Sequence, residues 1–362
     1  MSHPRPYVSI GLMSGTSMDG IDVALLETDG ETALRAGAWT SRPYPGGLRE
    51  ALLGLDPAAP GLAGYEEQVT RAHIDAVRDF CAAQHIDPAA LDCVGFHGQT
   101  IKHAPQLGKT WQLGDGARMA RELGCVVINR FRDEDLRCGG QGAPLAPAYH
   151  WALTRAHGLT QPVAILNIGG VSNVTLVAGE EIHAFDCGPG NALIDDWVRT
   201  RAGIAYDENG RLAAAGKVDE RALEQLMNHP YFSIRGTKSL DRNQFSIEPV
   251  SGLSVADGAA TLVAFTARAI ALAAGMLPTH ADSWIVVGGG RLNRTLVDHI
   301  RTELNRPVQV AEDLGWAGDA IEAQAFAYLA VRALRGLPLS WPTTTGVREP
   351  MPGGVRHLPT AA

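Results

Sequence analysis

Apolar positions follow two rhythms along this chain. Short β-branched runs such as "YVSIGLM", "GIDVALLET", "LDCVGFHG" and "CVVINRF" are bounded by Gly or charge, which predicts buried strands. Elsewhere the spacing lengthens. Val69, Ala72, Ile74, Val77, Phe80 and Cys81 mark one face of a helix over Tyr65–Gln84. "GDGARMARELG" predicts a second helix, which Gly124 ends. Further helices are expected near Ala222–Asn228 and over "DAIEAQAFAYLAVRALRG", where Ala, Leu, Glu and Arg favour them. The tail "LPLSWPTTTGVREPMPGG" reads as extended chain or loop. Strands alternating with helices predict an α/β layer structure.

The pattern starts again halfway. "VSIGLMSGTSMDGIDVALL" and "AILNIGGVSNVTLVAG" are each a β-branched strand, a Gly/Ser-rich turn and another strand. The match lies in the pattern of residue types, and it predicts two related lobes. "RAHGLTQP", within Trp151–Pro162, reads as the connector between them.

Composition narrows the class. A chain of 362 residues is long for one core. Its net charge of −8 argues against nucleic acid or an anionic membrane as the main partner. The apolar stretch Val255–Met276 has a membrane-like length, but Asp257, Arg268 and much alanine predict a helix buried between layers. The start, "MSHPRPYVSI", lacks the apolar run of a signal peptide. Cys81, Cys93, Cys125, Cys138 and Cys187 form no C-x-x-C pair, which predicts a reducing, cytoplasmic setting.

Chemistry concentrates at Gly-rich turns. Gly15, Thr16, Ser17, Met18, Asp19 and Gly20, followed by Ile21 and Asp22, offer backbone N–H groups and hydroxyls that can converge on a phosphate. The same residues also suit a plain tight turn, or a divalent cation held through water by Asp19 or Asp22. Gly169 and Gly170 in "NIGGVSN", and Gly288, Gly289 and Gly290 in "VVGGG", add close backbone approaches at strand ends. Together the three turns predict a nucleotide held in a cleft. In "FDCGPGNALIDDW", Asp186 reads as ending a strand. It is a candidate general base for a water or a sugar hydroxyl; the alternative is a cap for the helix beginning near Asn191. His97, Gln99 and His103 suit hydrogen bonding to a polar ligand or the backbone better than metal, which would need a third ligand for which His150 is no more than a guess. Arg132 and Gln141 lie in "FRDEDLRCGGQGAPLAP"; Arg132 can fork onto a carboxylate or phosphate, or belong to a solvated charged loop.

The ordered set "GLMSGTSMDGIDVAL", "GFHGQT", "TWQLGDG", "GGQGAPL", "NIGGVSN", "FDCGPGN" and "GGG" resembles the anhydro-N-acetylmuramic acid kinases of bacterial cell-wall recycling, from Ile10 to about Leu358. The resemblance implies two RNase H-like lobes of the actin, Hsp70 and sugar-kinase type with an ATP cleft between them. The first lobe would comprise residues 1–155 with about 337–362, and the second residues 156–336. It implies hydrolytic opening of the 1,6-anhydro ring and transfer of the γ-phosphoryl of ATP to O6, with Mg²⁺ bound mainly through phosphates and water. Carried over by motif, Gly15 to Asp22, Gly169, Gly170, Gly288 to Gly290 and Asn293 fall on the ATP side. Asp186 becomes the base. His97, Gln99, Arg132, Gln141 and Glu322 fall on the sugar side. No metal ligands are assigned, and a homodimer is implied. Two motifs depart from the pattern: Arg130-Phe131-Arg132 replaces Asp-Phe-Arg, and Lys238-Ser239-Leu240-Asp241-Arg242 replaces Lys-Ser-Thr-Gly-Arg. A kinase of another amino sugar without hydrolysis, a nucleotide-gated binding module of the same fold, and an inactive paralogue are the rival readings.

Overall fold

The computed structural model describes residues 5–15, 18, 20–241 and 244–359. The chain divides into two compact units, Met1–Gly158 with Ala320–Ala362, and Leu159–Asp319. In the first, the strands are β1 (Tyr7–Ser14), β2 (Ile21–Thr28), β3 (Leu34–Arg42), β4 (Cys93–Ala104), β5 (Lys109–Leu113) and β6 (Val127–Asn129). The second carries β7 (Val163–Ile168), β8 (Val171–Ala178), β9 (Glu181–Pro189), β10 (Ser283–Val287) and β11 (Val308–Val310). The chain then returns to the first unit, where β12 (Val355–His357) joins its edge.

Both units are built on one plan. In the first, the order is β12-β6-β4-β1-β2-β3, with β5 paired to β4. β1, β2 and β3 form an antiparallel meander, while β4 runs parallel to β1 and β6 parallel to β4. In the second, the order is β11-β10-β7-β8-β9. Again the first three strands are an antiparallel meander, and β10 and β11 add in parallel. The repeated hairpin pattern in the sequence is thus a repeated sheet topology, and the expected two-lobed α/β class is the one observed.

The first sheet is covered on both faces. Ile10, Leu12, Val94 and Phe96 share an apolar cluster with Val69, Ile74, Val77 and Phe80 of helix Leu62–Ala83. Positions between them on the strands point the other way. A Cβ on Gly11 would lie 1.8 Å from the Ala323 carbonyl oxygen, and one on Gly95 2.1 Å from that of Phe326. These two glycines seat helix Ile321–Leu334 on β1 and β4. The expected end of the second lobe at residue 336 is therefore corrected. The chain re-enters the first unit at Ala320, because this late helix packs on β1, β2 and β4.

In the second unit the apolar stretch forms helix Val255–Ala274, the one described helix long and apolar enough to cross a membrane. Leu262, Val263, Phe265 and Ile270 are fully buried in the unit's core with Trp197, Leu223 and Trp284. Its apolar character is that of a core helix.

Candidate active site

In the first unit the opening turn joins β1 to β2. Thr16, Ser17 and Asp19 lie outside the described residues. Gly15 and Gly20 bracket the turn, and the Met18 amide donates to the Gly15 carbonyl at 3.1 Å. Met18 adopts φ 53°, and its side chain is buried with Ile21 in the apolar core. These two residues therefore present only main chain to a ligand. Asp22 is the second residue of β2, opposite Met13 and Ser41.

Gln99 on β4 reaches this turn. Its Nε2 donates to the Gly15 carbonyl at 3.2 Å, and its Oε1 lies 2.7 Å from the Ser14 hydroxyl. His97, also on β4, meets Arg132 instead. The Arg132 guanidinium lies 2.9 Å from His97 Nε2 and donates to the Gly142 carbonyl at 2.7 Å. His97 Nδ1 lies 2.8 Å from the Gly98 carbonyl, so the ring is neutral with its proton on Nδ1. Burial first, and the Arg132 charge second, hold His97 well below the ordinary histidine range. The Phe326 ring rests 4.5 Å from the His97 ring, centroid to centroid. Glu322 stands one helical turn before Phe326, on the same face of the helix. His97, Arg132 and the Gly142 loop are thus brought together, with Glu322 on the helix that covers them.

Asp135 was hidden in the charged run after Arg132. Its carboxylate is buried, accepting from the Gly142 amide at 2.6 Å and from the Ser340 and Thr345 hydroxyls at 2.5 Å each. The Gln141 amide donates to the Thr345 carbonyl at 2.7 Å. The reading of this segment as a solvated loop is corrected: it is pinned to residues 340–345. Arg130, the departure from the family motif, is exposed and paired with Asp133 at 2.5 Å.

In the second unit, β7 and β10 are parallel and end together at Ile168 and Val287. Gly169 and Gly170 follow the first, and Gly288 to Gly290 the second, at the carboxyl edge where α/β sheets bind ligands. The Asn191 and Ala192 amides donate to the Gly169 and Gly170 carbonyls at 2.8 and 3.3 Å, which ties helix Ala192–Ala202 to that turn. Gly288 has φ 74°, and a Cβ there would lie 2.3 Å from Asn167 Oδ1. At Gly289 the space is open, with Asn191 Nδ2 nearest at 3.9 Å. Asn293 Oδ1 accepts from the Leu296 amide at 3.0 Å, capping helix Arg294–Leu304. Arg291, which spacing did not single out, is buried. It pairs with Glu312 at 2.8 Å and Asp319 at 2.7 Å, and donates to the Gly288 carbonyl at 3.0 Å.

Asp186 lies within β9, which continues to Pro189; the expected strand end at Asp186 is corrected. Asn173 pairs with Asp186 and Ser172 with Gly188, so Cys187 is the extra residue of a bulge. The helix-cap alternative fails, since Asn191 holds the N-cap position with no side-chain cap. Instead, Asp186 Oδ2 accepts from the Leu240 amide at 2.8 Å, and its own amide donates to the Lys238 carbonyl at 3.0 Å. The Tyr231 hydroxyl donates to the Asp186 carbonyl at 2.6 Å. Lys238 Nζ lies 4.4 Å from the Tyr231 ring centroid. Burial pulls the Lys238 ammonium below its ordinary value, opposed by the charge of Asp186. The Cys187 thiol is pushed up by burial first and Asp186 second, so it is an inert neighbour.

The family model for anhydro-N-acetylmuramic acid kinase matches residues 7–357. The chain is 51% identical over 356 residues to the enzyme of that name from Paramagnetospirillum magneticum, covering 97% of this chain and 100% of the relative. It is 50% identical over 363 residues to that from Rhizorhabdus wittichii, covering 97% and 99%. Among solved structures it is similar to component A of the (R)-2-hydroxyglutaryl-CoA dehydratase of Acidaminococcus fermentans, at 12% identity and a TM-score of 0.49, over 90% of this chain and 99% of that one. The family and curated relatives set the class: this is an enzyme, and a kinase. The chain belongs to the anhydro-N-acetylmuramic acid kinase family.

Proposed function

We propose that this kinase uses ATP to convert 1,6-anhydro-N-acetylmuramic acid into N-acetylmuramic acid 6-phosphate, in the cytoplasmic recycling of cell-wall sugar and as a homodimer. Water attacks the anomeric carbon and gives a proton to Asp186. The C1–O6 bond breaks, and O6 takes the γ-phosphoryl group as ADP leaves. Acetal opening needs a base for water and relief of charge on the departing oxygen. Phosphoryl transfer supplies that relief, so one carboxylate serves where a glycosidase uses two.

The observation that carries this reading is the Asp186 carboxylate, a nearly buried acid beside a bulge with one oxygen fixed at 2.8 Å by a main-chain amide. Such a group is oriented by the backbone rather than by a mobile side chain. His97, Arg132, Gln141 and Glu322 are the sugar-side residues of the proposal. Gly15 to Asp22, Gly169, Gly170, Gly288 to Gly290 and Asn293 belong to the nucleotide side, with Asn293 acting through its helix cap. The open space at Gly289 suits close approach of a nucleotide to the main chain. Among the described residues no three His, Cys, Asp or Glu side chains converge as a metal cage. Mg²⁺ would arrive with the nucleotide, held by phosphates and water.

The test is mass spectrometry of products formed from ATP and the anhydro sugar in ¹⁸O water. The expected product carries phosphate on O6 and label at C1. A phosphorylated product without label overturns the hydrolytic step, and faster turnover of ring-opened N-acetylmuramic acid overturns the substrate.

A further inference from the structure

We propose that Gln99 is a positioning residue that closes the neck of the opening turn, and that it makes no contact with sugar. The proposal rests on the reading that Gly15 to Asp22 receive the nucleotide phosphates. Gln99 is fully buried on β4. Its Nε2 donates to the carbonyls of Gly15 at 3.2 Å and Thr100 at 3.1 Å. Its Oε1 lies 2.7 Å from the Ser14 hydroxyl and accepts from the Tyr44 hydroxyl at 2.9 Å. An amide side chain has two donor hydrogens and one oxygen with two lone pairs. Both donor hydrogens and one lone pair are taken by protein groups, and the Ser14 hydroxyl, which shares its one hydrogen between Gln99 Oε1 and the Gly20 carbonyl, faces the other, so nothing remains for a ligand.

The partners are not scattered. Ser14 and Gly15 are the entry to the turn, and Ser14 Oγ also lies 2.8 Å from the carbonyl of Gly20, the exit. Entry and exit therefore meet at the Ser14 side chain, which Gln99 holds from β4. The Gly15 carbonyl receives both Gln99 Nε2 and the Met18 amide, which fixes the first bend. Tyr44 is held from behind. Its ring stands edge-on to His73, centroids 6.0 Å apart, and His73 packs on Phe96 at 4.9 Å. Burial pushes the Tyr44 hydroxyl far above its ordinary pKa, so it stays a neutral donor. A turn whose main-chain N–H groups must converge on an anion gains affinity when its neck is fixed beforehand, because less ordering is left for binding.

The test compares Gln99→Leu and Tyr44→Phe with the parent enzyme in three measurements: KM for ATP, KM for the anhydro sugar, and ATP affinity by calorimetry without sugar. Tyr44→Phe removes one hydroxyl and little volume, so it remains informative where Gln99→Leu fails to fold. Gln99→Leu is expected to raise KM for ATP about tenfold, and Tyr44→Phe about threefold, with KM for sugar held within about twofold in both. Calorimetry is expected to show the same loss of ATP affinity. A rise in sugar KM with ATP affinity intact overturns the proposal and makes Gln99 a sugar ligand. A fall in kcat with both KM values unchanged also overturns it, since that is the signature of lost folded enzyme. If the parent enzyme binds no ATP, the nucleotide reading itself fails, which is a separate outcome.

Discussion

The Leu240 amide donates to the Asp186 carboxylate at 2.8 Å across 54 residues of chain. The bond comes from main chain, so it does not depend on which side chain stands at position 240. That bears on the base. Asp186→Asn keeps size and the acceptor for Leu240 but cannot take a proton from water. Its kcat is expected to fall by about a thousandfold or more, with ATP affinity by calorimetry unchanged. An Asn variant of near-parental rate would remove Asp186 from the chemistry.

The same bond explains why Leu240, standing where the family motif has Thr, leaves Asp186 in place. Leu240→Thr is expected to hold kcat within about threefold, at a cost of roughly 1 kcal/mol in stability for the buried apolar surface lost. Leu240→Pro removes the N–H donor and is expected to lower kcat about a hundredfold. Steady-state rates of the two variants, each corrected for folded fraction, decide it. Equal rates would mean that the bond is structurally incidental.

Gly95→Ala is a test of how the late helix is seated. The new Cβ would lie 2.1 Å from the Phe326 carbonyl oxygen, and backbone cannot swing aside. The expected loss is about 3 kcal/mol or more in urea unfolding. Gly64→Ala is the control. It lies in helix Leu62–Ala83 with nothing within 4 Å of the added carbon, and is expected to gain up to about 1 kcal/mol. Similar values for both would refute the close seating.

Legibility in the sequence followed the range of the interaction. The hairpins of β1–β2 and β7–β8 are written in adjacent residues: β-branched strands around Gly-rich turns. The unit to which helix Ile321–Leu334 belongs is not, because its seat is made by Gly11 and Gly95, more than two hundred residues away. A glycine in a strand announces a close approach without naming what approaches. Asp135 was illegible for the same reason. Its partners Ser340 and Thr345 lie far along the chain, and a run of charges gives no hint that one member is buried. Gln99 was legible as a polar residue in a motif, but motif position assigned it toward sugar, while two of its four bonds go to the entry of the turn and the other two to Tyr44 and Thr100. The Gly169–Gly170 and Gly288–Gly290 turns were legible as turns, and parallel pairing of β7 with β10 supplied their meeting place.

Acid should destabilise this fold through its buried histidines. His73 is fully buried in helix Leu62–Ala83, with Nδ1 2.8 Å from the Val69 carbonyl and no partner at Nε2. Burial lowers its pKa to about 4 from the ordinary 6.5, against the smaller opposing effect of the Val69 hydrogen bond. Burial lowers His150 to about 3, and His97 also lies well below its ordinary value. A histidine depressed on folding binds fewer protons in the native than in the unfolded state between the two pKa values. Stability therefore rises with pH across that window. The contribution is complete above pH 6.5 and is lost as pH falls toward the folded pKa. For His73 alone the loss between pH 6.5 and 4 is roughly 3 kcal/mol. Urea unfolding of the parent and of His73→Gln at several pH values in that range measures it. The variant is expected to start less stable but to lose stability less steeply with acid. Parallel curves for the two proteins would show that His73 does not titrate on unfolding.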